Sequence, residues 1–474
     1  MRILMATITL ALAALGALAP TLAAAPAEPD LPEAGGAEAS DYVADELLVR
    51  FRGGRERTVA LPEEVGVPEA AGALMRNPRV AYALPNYLAR AAAIPNDPGM
   101  TGVDGDWQRV QWNFLPCGSL CVPGQTALPF EARGGIDAPG AWDVLAQRGA
   151  PKGKGVKVAV LDTGVAFRTR KPRFRKSPDF SPKQFVDGFD FVSDKKNEGK
   201  DGERRRGRDL LPLDRDGHGT HVTGTIAERT GNGVALTGLV SRAKIIPIRV
   251  LDSQGLGTAS DIAEGIRHAA RNDADVINMS FEFALAVDSC AKIKSVCRAI
   301  KFASRRGAVV VSAAGNSNGE PIAFPGGAPR VLGIGRVTKD ACLAGESRTG
   351  VGLDLVAPGG GLPISPACGT DDANFGRDLP IFQLTFAGGG FKKFGFPAFY
   401  EGTSMAAAHV SGVAAMVVAS RILGRNPSPD EVECQLRGTA RRDPGELGEP
   451  YDQRLFGAGL VDAAAAVTAR TPGC

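Results

Sequence analysis

Short runs of aliphatic and β-branched residues recur along most of the chain and alternate with longer amphipathic segments. Residues 259–272 and 290–305 carry apolar side chains at the spacing of one helix face. The runs between these segments are short enough for buried strands. Strands and helices that alternate in this way predict an α/β fold, in which a parallel sheet carries helices on both faces. The predicted strands are Val156 to Leu161, Ile245 to Val250, Val276 to Met279 and Ala308 to Val311.

A different pattern precedes this region. Residues 46–52 alternate between apolar and polar positions as a half-buried strand does, and residues 77–86 contain a second strand bounded by proline. These segments predict a small α+β unit from about residue 42 to 87. Residues 28–41 are rich in Ala, Glu, Pro and Gly, a composition typical of flexible linkers.

The first residues have the composition of an export signal. An apolar stretch of small residues follows Arg2 and runs to Ala25, and Ala-x-Ala cleavage sites end at Ala25 and Ala27. We expect a signal peptide over residues 1–27 and a secreted protein, extracellular or periplasmic, with no stable membrane association after cleavage. A retained membrane anchor is the alternative, which Pro20 and the small residues disfavour.

Composition and charge narrow the classes of partner. The chain has 474 residues, of which 44% are hydrophobic, and 55 Lys plus Arg against 52 Asp plus Glu leave a net charge of +3. That composition is typical of a globular protein with room for one large domain and a smaller one. Nucleic acid is not expected as a partner, because its phosphates require a strongly basic surface.

Export also gives meaning to the 8 cysteines, because disulfides persist in oxidising compartments. Two pairs lie close enough in sequence to bond locally, and the other four cysteines are left to pair among themselves in an order that the sequence leaves open. A zinc site is the alternative, but no second Cys or His pair with suitable spacing accompanies them. The local pairs are Cys117 with Cys121 and Cys290 with Cys297, and the remaining cysteines are Cys342, Cys368, Cys434 and Cys474.

Three reactive residues lie where a parallel sheet collects its chemistry, at strand ends and helix starts. Asp162 ends a predicted strand, His218 opens a helix within an Asp-Gly-His-Gly motif, and Ser404 opens another within Gly-Thr-Ser-Met-Ala. An aspartate, a histidine and a serine can act as orienting carboxylate, general base and nucleophile. The chain order Asp, His, Ser is one of the known orders for such a triad.

Other chemistry fits these motifs less well. Asp-Thr-Gly at residue 162 is also an aspartic protease signature, but such enzymes need two, and no second one occurs. His218 and His221 lack the spacing and glutamate of a zinc helix. An α/β-hydrolase would need Gly-x-Ser-x-Gly and the order Ser, Asp, His.

Val-Ala-Val-Leu-Asp-Thr-Gly-Val, Asp-Gly-His-Gly-Thr-His-Val-Thr-Gly-Thr and Gly-Thr-Ser-Met-Ala resemble the three signature blocks of the subtilisin family of serine proteases. The resemblance extends from about residue 130 to 470 and implies a subtilisin-like fold. It also implies that residues 28–93 are a propeptide and that residues 94–474 are the peptidase domain. We therefore expect a self-processing zymogen that cleaves itself between about Leu88 and Pro95, with polypeptides and its own propeptide as partners and a monomeric mature form.

The same resemblance assigns roles to individual residues. Ser404 is the nucleophile, His218 the general base and Asp162 its orienting partner, while Asn316 donates to the oxyanion. Ala323 resembles the floor of the pocket for the residue before the scissile bond, which predicts broad cleavage favouring apolar residues. Glu282 stands where the family usually has Gly, so the alternative is a cleft that this acid narrows or makes attractive to basic side chains. The remaining predicted cleft residues are Gly255, Leu256, Gly257, Ser280, Phe281, Ala313, Ala314 and Gly315.

A structural calcium ion is the expected cofactor, because several positions match a calcium site of the family. Hard oxygen ligands of the kind found there suit this ion. The runner-up function from another class is a non-catalytic binding module with the same fold. The predicted calcium ligands are the side chains of Asp97, Asp179 and Asn232, with Thr230, Val234 and Leu236 on the loop that Asn232 occupies.

Overall fold

The computed structural model forms two compact units, residues 1–91 and 92–474. It describes residues 42–54, 56–62, 65–87, 95–121, 130–192, 210–365, 368, 379–388, 390–443, 447 and 449–474. The predicted signal peptide and the predicted self-cleavage segment, residues 88–94, lie outside the described residues.

The first unit is a three-stranded antiparallel sheet with one helix. Strand β1 (Tyr42–Phe51) lies between β2 (Glu56–Ala60) and β3 (Val80–Tyr87), and helix α1 (Val67–Met75) follows β2. The two strands predicted from the sequence correspond to β1 and β3. Apolar side chains of these elements form a core of their own, which includes Leu47, Val49, Val67, Ala70, Leu74, Val80 and Ala83.

The second unit is built on a seven-stranded sheet in which every neighbouring pair is parallel. The strand order is β10, β9, β8, β7, β4, β6, β5. The predicted α/β class and parallel sheet are therefore confirmed. The strands are β4 (Lys157–Asp162), β5 (Phe189–Asp190), β6 (Lys244–Arg249), β7 (Val276–Met279), β8 (Val309–Ala313), β9 (Leu332–Val337) and β10 (Leu353–Pro358).

Helices cover both faces of this sheet, because alternate residues of each strand point to opposite sides. Along β4, Val158 and Val160 pack into the larger core, whereas Ala159 and Leu161 pack into a second core on the other face. The larger core includes residues of α2 (Ala138–Gln147), α3 (His218–Ala227), α6 (Thr403–Ser420), α7 (Pro429–Gly438) and α9 (Ala463–Thr468); the second includes residues of α4 (Ala259–Arg271) and α5 (Lys294–Arg305).

Shorter elements complete the unit. Strands β11 (Thr385–Phe386) and β12 (Phe394–Gly395) form a small antiparallel pair. Helix α8 covers Gln453–Phe456. Single 3₁₀ turns occur at Asp106–Arg109, Trp112–Phe114, Gly118–Leu120, Pro151–Gly153 and Pro182–Gln184.

Helix α6 is long and apolar enough to cross a bilayer, but 94% of it is buried in the core of the second unit. Small residues dominate it, and Gly412 lies so close to Leu239 that a side chain there would collide. Its apolar character therefore reflects its central position among the other elements.

All 8 cysteines form disulfides. The two local pairs predicted from the sequence, Cys117–Cys121 and Cys290–Cys297, are confirmed. The remaining four pair among themselves as expected, and the structure gives the connectivity Cys342–Cys368 and Cys434–Cys474.

Candidate active site

The candidate site lies at the carboxyl ends of the central strands. After β4 the chain adds β5 and β6 on one side of that strand, and then crosses to add β7 on the other side. Such a reversal opens a crevice outside the strand ends, where ligands of α/β sheets commonly bind. Asp162 ends β4, Ser280 follows β7, and Ala313 ends β8.

Asp162 and His218 form the central pair of the site. Nδ1 of His218 lies 2.8 Å from Oδ1 of Asp162, whose side chain is buried, while the histidine keeps 24% of its side chain exposed. The same Oδ1 accepts a 2.7 Å hydrogen bond from the backbone N–H of Thr163. The second oxygen, Oδ2, is buried and has no hydrogen-bond partner among the described residues.

The charge of Asp162 changes the proton affinity of His218. Burial lowers the pKa of His218, but the charge and hydrogen bond of Asp162, with the nearby carboxylates Asp216 and Asp214, outweigh that effect and raise it to about 9. The imidazolium is therefore unusually stable here. With this pKa, the imidazole is neutral, and so able to accept a proton as a general base must, only in alkaline solution.

The start of helix α3 is held by the carboxylate of Asp214, which is fully buried. Its Oδ1 accepts from the backbone N–H groups of Asp216 and Gly217, at 2.9 and 3.0 Å, and from the hydroxyl of Thr163, at 2.9 Å. Its Oδ2 accepts from both the N–H, at 2.9 Å, and the hydroxyl of Thr220. Burial raises the pKa of Asp214 even though the hydrogen bonds from Asp216, Gly217 and Thr220 lower it. His218 lies within the turn that they define.

Close approach of two backbones explains a glycine in this turn. The N–H of Gly219 donates to the hydroxyl of Thr163 at 3.0 Å. A Cβ atom at Gly219 would collide with the carbonyl oxygen of Gly164 and press on the side chain of Asp162. Any larger residue would therefore push α3, and His218 with it, away from Asp162.

Ser404 occupies the first turn of α6, within the positive end of the helix dipole. Its Oγ donates a 3.0 Å hydrogen bond to the carbonyl of Ser280, and the hydroxyl of Ser280 donates in return to the carbonyl of Ser404 at 2.8 Å. No hydrogen bond between Ser404 and His218 occurs among the described residues. Catalytic hydrogen bonds are often loose in ligand-free proteins and tighten when substrate binds.

The side-chain amide of Asn316 is oriented by Thr403. Its Oδ1 accepts from the backbone N–H of Thr403 at 2.8 Å and from the hydroxyl of the same residue at 3.1 Å. With Oδ1 used in this way, Nδ2 is the donor available to the cleft. The backbone N–H of Asn316 donates to Oε1 of Glu282 at 3.2 Å.

These residues surround one cleft of about 280 Å³. The lining brings together nine of the predicted residues: His218, Gly255, Ser280, Phe281, Glu282, Ala313, Gly315, Asn316 and Ser404. Three lining residues were missed, Thr163, Asp216 and Leu251, although each lies within or directly beside a motif segment.

Five other predicted residues do not line the cleft. Asp162 lies behind His218, and Leu256 is 70% exposed on the loop that also carries Gly257. Ala314 and Ala323 are buried, and the N–H of Ala323 donates to the carbonyl of Ala314 at 2.8 Å. They support the cleft wall from behind.

The other histidines have structural surroundings. Nε2 of His221 lies 2.8 Å from the carbonyl of Ile381, and its ring stacks on Tyr400 with centroids 4.1 Å apart. Burial lowers the pKa of His221 to about 3 and that of His409 to about 4, so both are neutral. Nε2 of His268, on α4, lies 2.7 Å from the carbonyl of Asp187.

The residues predicted to bind calcium through their side chains lie together in the structure, and hydrogen bonds join them. Asp97 accepts from the N–H groups of Gly231 and Asn232, at 2.7 and 3.0 Å. Oδ1 of Asp179 accepts from the side-chain amide of Asn232 at 2.8 Å. The amide oxygen of Asn232 accepts in turn from the N–H of Val234 at 3.0 Å.

Whether this cluster suits a cation depends on its unused oxygen atoms. Oδ2 of Asp179 is buried without a hydrogen-bond partner among the described residues. Burial raises the pKa of Asp179 to about 8, and the charge of Asp97 adds to the effect. A cation would relieve both conditions, so these oxygen atoms fit calcium. The ammonium of Lys152 lies 2.6 Å from the carbonyl of Thr230 and supplies part of the missing positive charge.

No group of three or more His, Cys, Asp or Glu side chains suited to a metal occurs in the part of the chain that the structure describes. A calcium site here would therefore depend on carbonyl oxygens as well as carboxylates. Thr230, Val234 and Leu236 lie on the loop that would provide them.

Comparison with known proteins identifies the relatives of this chain. Residues 153–459 match the model of the subtilase family. The thermophilic serine proteinase of Bacillus sp. (strain AK1) is 30% identical over 413 residues, which cover 82% of this chain and 80% of that protein. The extracellular basic protease of Dichelobacter nodosus is 31% identical over 459 residues, covering 89% of this chain and 64% of that protein.

A solved structure gives the same relationship in three dimensions. A protease from Pseudoalteromonas arctica PAMC 21717 superposes with a TM-score of 0.59 at 31% identity. The match covers 79% of this chain and 99% of that one.

Proposed function

This chain belongs to the subtilase family of serine proteases, and we propose that it hydrolyses polypeptides through a Ser-His-Asp triad. The observation that carries the proposal is the 2.8 Å contact of His218 with Asp162, because His218 lines the cleft that also contains Ser404 and Asn316. A carboxylate, an imidazole and a hydroxyl in this chain order form a known catalytic combination.

Ser404 acts as the nucleophile in this mechanism. Its Oγ rotates away from the carbonyl of Ser280 and attacks the carbonyl carbon of the scissile bond, while His218 accepts the hydroxyl proton. Asp162 keeps Nδ1 of His218 protonated and stabilises the imidazolium. The imidazolium then protonates the leaving amine, the peptide C–N bond breaks, and an acyl group remains on Ser404. Water releases the acyl group, with His218 again accepting a proton.

The developing oxyanion requires hydrogen-bond donors. The side-chain Nδ2 of Asn316 and the backbone N–H of Ser404 take this role in the proposal. Support comes from Thr403, whose N–H and hydroxyl occupy the other end of the Asn316 amide and so hold the donor in place. Donors that are fixed before the reaction stabilise charge without reorganising.

Polypeptide substrates bind in an extended conformation between residues 255–257 and 280–282. Their main chain would pair with the protein backbone, and these hydrogen bonds do not discriminate between substrate side chains. The runner-up, a non-catalytic binding module with this fold, would bind a chain in the same cleft without cleaving it.

The protein is made as an exported zymogen, with a signal peptide over residues 1–27 and a propeptide over residues 28–93. The four disulfides support export, as does the extracellular relative from Dichelobacter nodosus. The zymogen cleaves itself between about Leu88 and Pro95, and the mature protein is a monomer. A Ser404→Ala protein purified alone keeps residues 28–90 if this is correct, and intact mass measures it.

A structural calcium ion would be held by Asp97, Asp179 and Asn232 with carbonyls of the 230–236 loop. Such an ion supplies positive charge to buried carboxylates and links two distant segments of the chain. Oδ2 of Asp179, which is buried without a hydrogen-bond partner in the described part of the chain, supports this assignment.

The decisive experiment is labelling of the purified, exported protein with a fluorophosphonate probe at alkaline pH, with Ser404→Ala as the control. Labelling of processed wild type and not of the variant is the expected result. A folded, processed wild type that stays unlabelled would instead support the binding module. An unlabelled chain of full length would indicate a zymogen that awaits another protease.

A further inference from the structure

Glu282 places a carboxylate inside the substrate cleft. It lies three residues after the end of β7 and two after Ser280, whose carbonyl accepts from the nucleophile Ser404. Its Oε1 accepts from the backbone N–H of Asn316 at 3.2 Å, and its Oε2 lies so close to Gly315 that a side chain there would collide with it. The carboxylate therefore reaches from the end of β7 to the segment that follows β8, and it lines the same cleft as His218 and Ser404.

The cleft as a whole is acidic, although the protein carries a net charge of +3. Its lining contains two carboxylates, Asp216 and Glu282, and no Lys or Arg among the described residues. One oxygen of Asp216 already accepts from the N–H of His218 at 2.9 Å. Glu282 forms no ion pair with a described Lys or Arg.

Arg348 packs against Gly315, but its guanidinium forms hydrogen bonds with groups other than Glu282. The guanidinium of Arg348 donates to the hydroxyl of Ser317, at 3.2 Å, and to the carbonyls of Asn318 and Pro321, at 2.6 and 2.8 Å. Cδ of Arg348 lies beside Gly315, and the backbone N–H of Arg348 donates to the carbonyl of Gly315 at 3.1 Å. The carboxylate of Glu282, a residue of the cleft lining, thus keeps unused acceptor sites, since a carboxylate accepts about four hydrogen bonds.

We propose that Glu282 determines specificity, selecting lysine or arginine at the substrate position immediately before the scissile bond. This inference rests on the proposed proteolytic function and replaces the apolar preference expected from Ala323 at the pocket floor. That alanine is buried behind the wall, whereas the carboxylate lies in the lining itself.

Two physical effects give the selection. Substrate binding displaces water from the cleft, so a cationic side chain gains a charge-assisted hydrogen bond in a medium less polar than water. An apolar side chain in the same place would desolvate the carboxylate without offering a donor. A hydrogen bond to a charged group of this kind changes the rate by about tenfold or more.

The test compares kcat/KM for three peptides that differ only in the residue before the scissile bond, which is arginine, citrulline or phenylalanine. Citrulline has the shape of arginine without its charge. The wild type should cleave the arginine peptide about tenfold faster than the citrulline peptide. Glu282→Gln, which keeps the size of the side chain, should reduce that ratio to near one.

Two further variants keep the test informative. Glu264→Gln removes an exposed carboxylate on α4 outside the cleft and should leave the ratio unchanged. Glu282→Gly replaces Glu282→Gln in the comparison if the glutamine variant fails to fold. Fluorophosphonate labelling measures the active fraction of each variant. An unchanged ratio of arginine to citrulline cleavage in both Glu282 variants, or a wild type that prefers the phenylalanine peptide, would overturn the specificity inference and leave the protease assignment intact. A wild type that cleaves no peptide and takes up no label would overturn the protease assignment as well.

Discussion

Replacement of Asp214 tests whether one buried carboxylate shapes the active site. In Asp214→Ala, three backbone N–H groups and two hydroxyls lose their acceptor. A buried donor left without a partner costs about 1–3 kcal/mol. Because water and local rearrangement recover part of this, we expect the free energy of unfolding to fall by about 3–5 kcal/mol, less than the sum over five donors.

Asp214→Asn should lower the free energy of unfolding less than Asp214→Ala does. Burial raises the pKa of Asp214, which means that the charge itself is poorly solvated and that the acceptor atoms stabilise the turn. Asparagine keeps one acceptor oxygen, but its NH2 group replaces the second oxygen and is a donor placed against other donors. We therefore expect a loss of about 1–3 kcal/mol.

The assay is guanidinium unfolding of full-length chains in a Ser404→Ala background, which prevents self-digestion. Asp288→Ala, which removes an exposed carboxylate paired with Lys292, is the control and should leave the midpoint unchanged. An Asp214→Ala chain with an unchanged midpoint, or one more stable than Asp214→Asn, would refute the reasoning.

The catalytic consequence is measured with Ser404 intact. The charge of Asp214 contributes to the raised pKa of His218, so Asp214→Asn should shift the acid limb of the kcat/KM profile to lower pH. Loss of activity without that shift would mean that Asp214 acts through folding alone.

Four further outcomes follow from the site and the disulfides. Burial lowers the pKa of His218, but Asp162 raises it more, to about 9. Because only neutral imidazole accepts the proton, kcat/KM should rise with pH through that value. A profile that is already flat at about pH 6.5 would contradict this. Asn316→Ala should lower kcat about 10²–10³-fold with little change in KM, a magnitude measured on a subtilisin and carried over. Replacement of both Cys434 and Cys474, which are separated by 40 residues, with alanine should lower the free energy of unfolding by about 4 kcal/mol. The same replacement of Cys117 and Cys121, separated by 4 residues, should lower it by about 2 kcal/mol, and denaturant unfolding measures both. EDTA should lower the melting temperature of wild type and leave that of Asp179→Ala unchanged, and an EDTA-insensitive wild type would mean that no calcium binds there.

Much of the second unit follows from local patterns. The segment predicted as Val276 to Met279 is a strand with those ends, and helices were expected to open near His218 and Ser404, where α3 and α6 begin. Such elements are predictable because the spacing of apolar residues along a few turns decides which face is buried. Motif residues at their ends then come together because parallel strands share one edge.

Other features of the second unit depend on contacts between residues that are distant in the sequence. Nothing near Asp214 in the sequence indicates that five donors, two of them on Thr220, converge on its carboxylate. The pairing of Cys342 with Cys368 likewise depends on how distant segments pack.

The sequence by itself determined the class of the sheet, the order of its elements and the segments that carry reactive side chains, because these depend on periodicity and on residue chemistry. Only the tertiary structure decided that Glu282 reaches the N–H of Asn316 and that Ala323 lies behind the cleft wall. The physical reason is that the direction of a side chain at a strand end depends on the backbone donors of neighbouring strands. Those strands are adjacent in the sheet and distant in the chain.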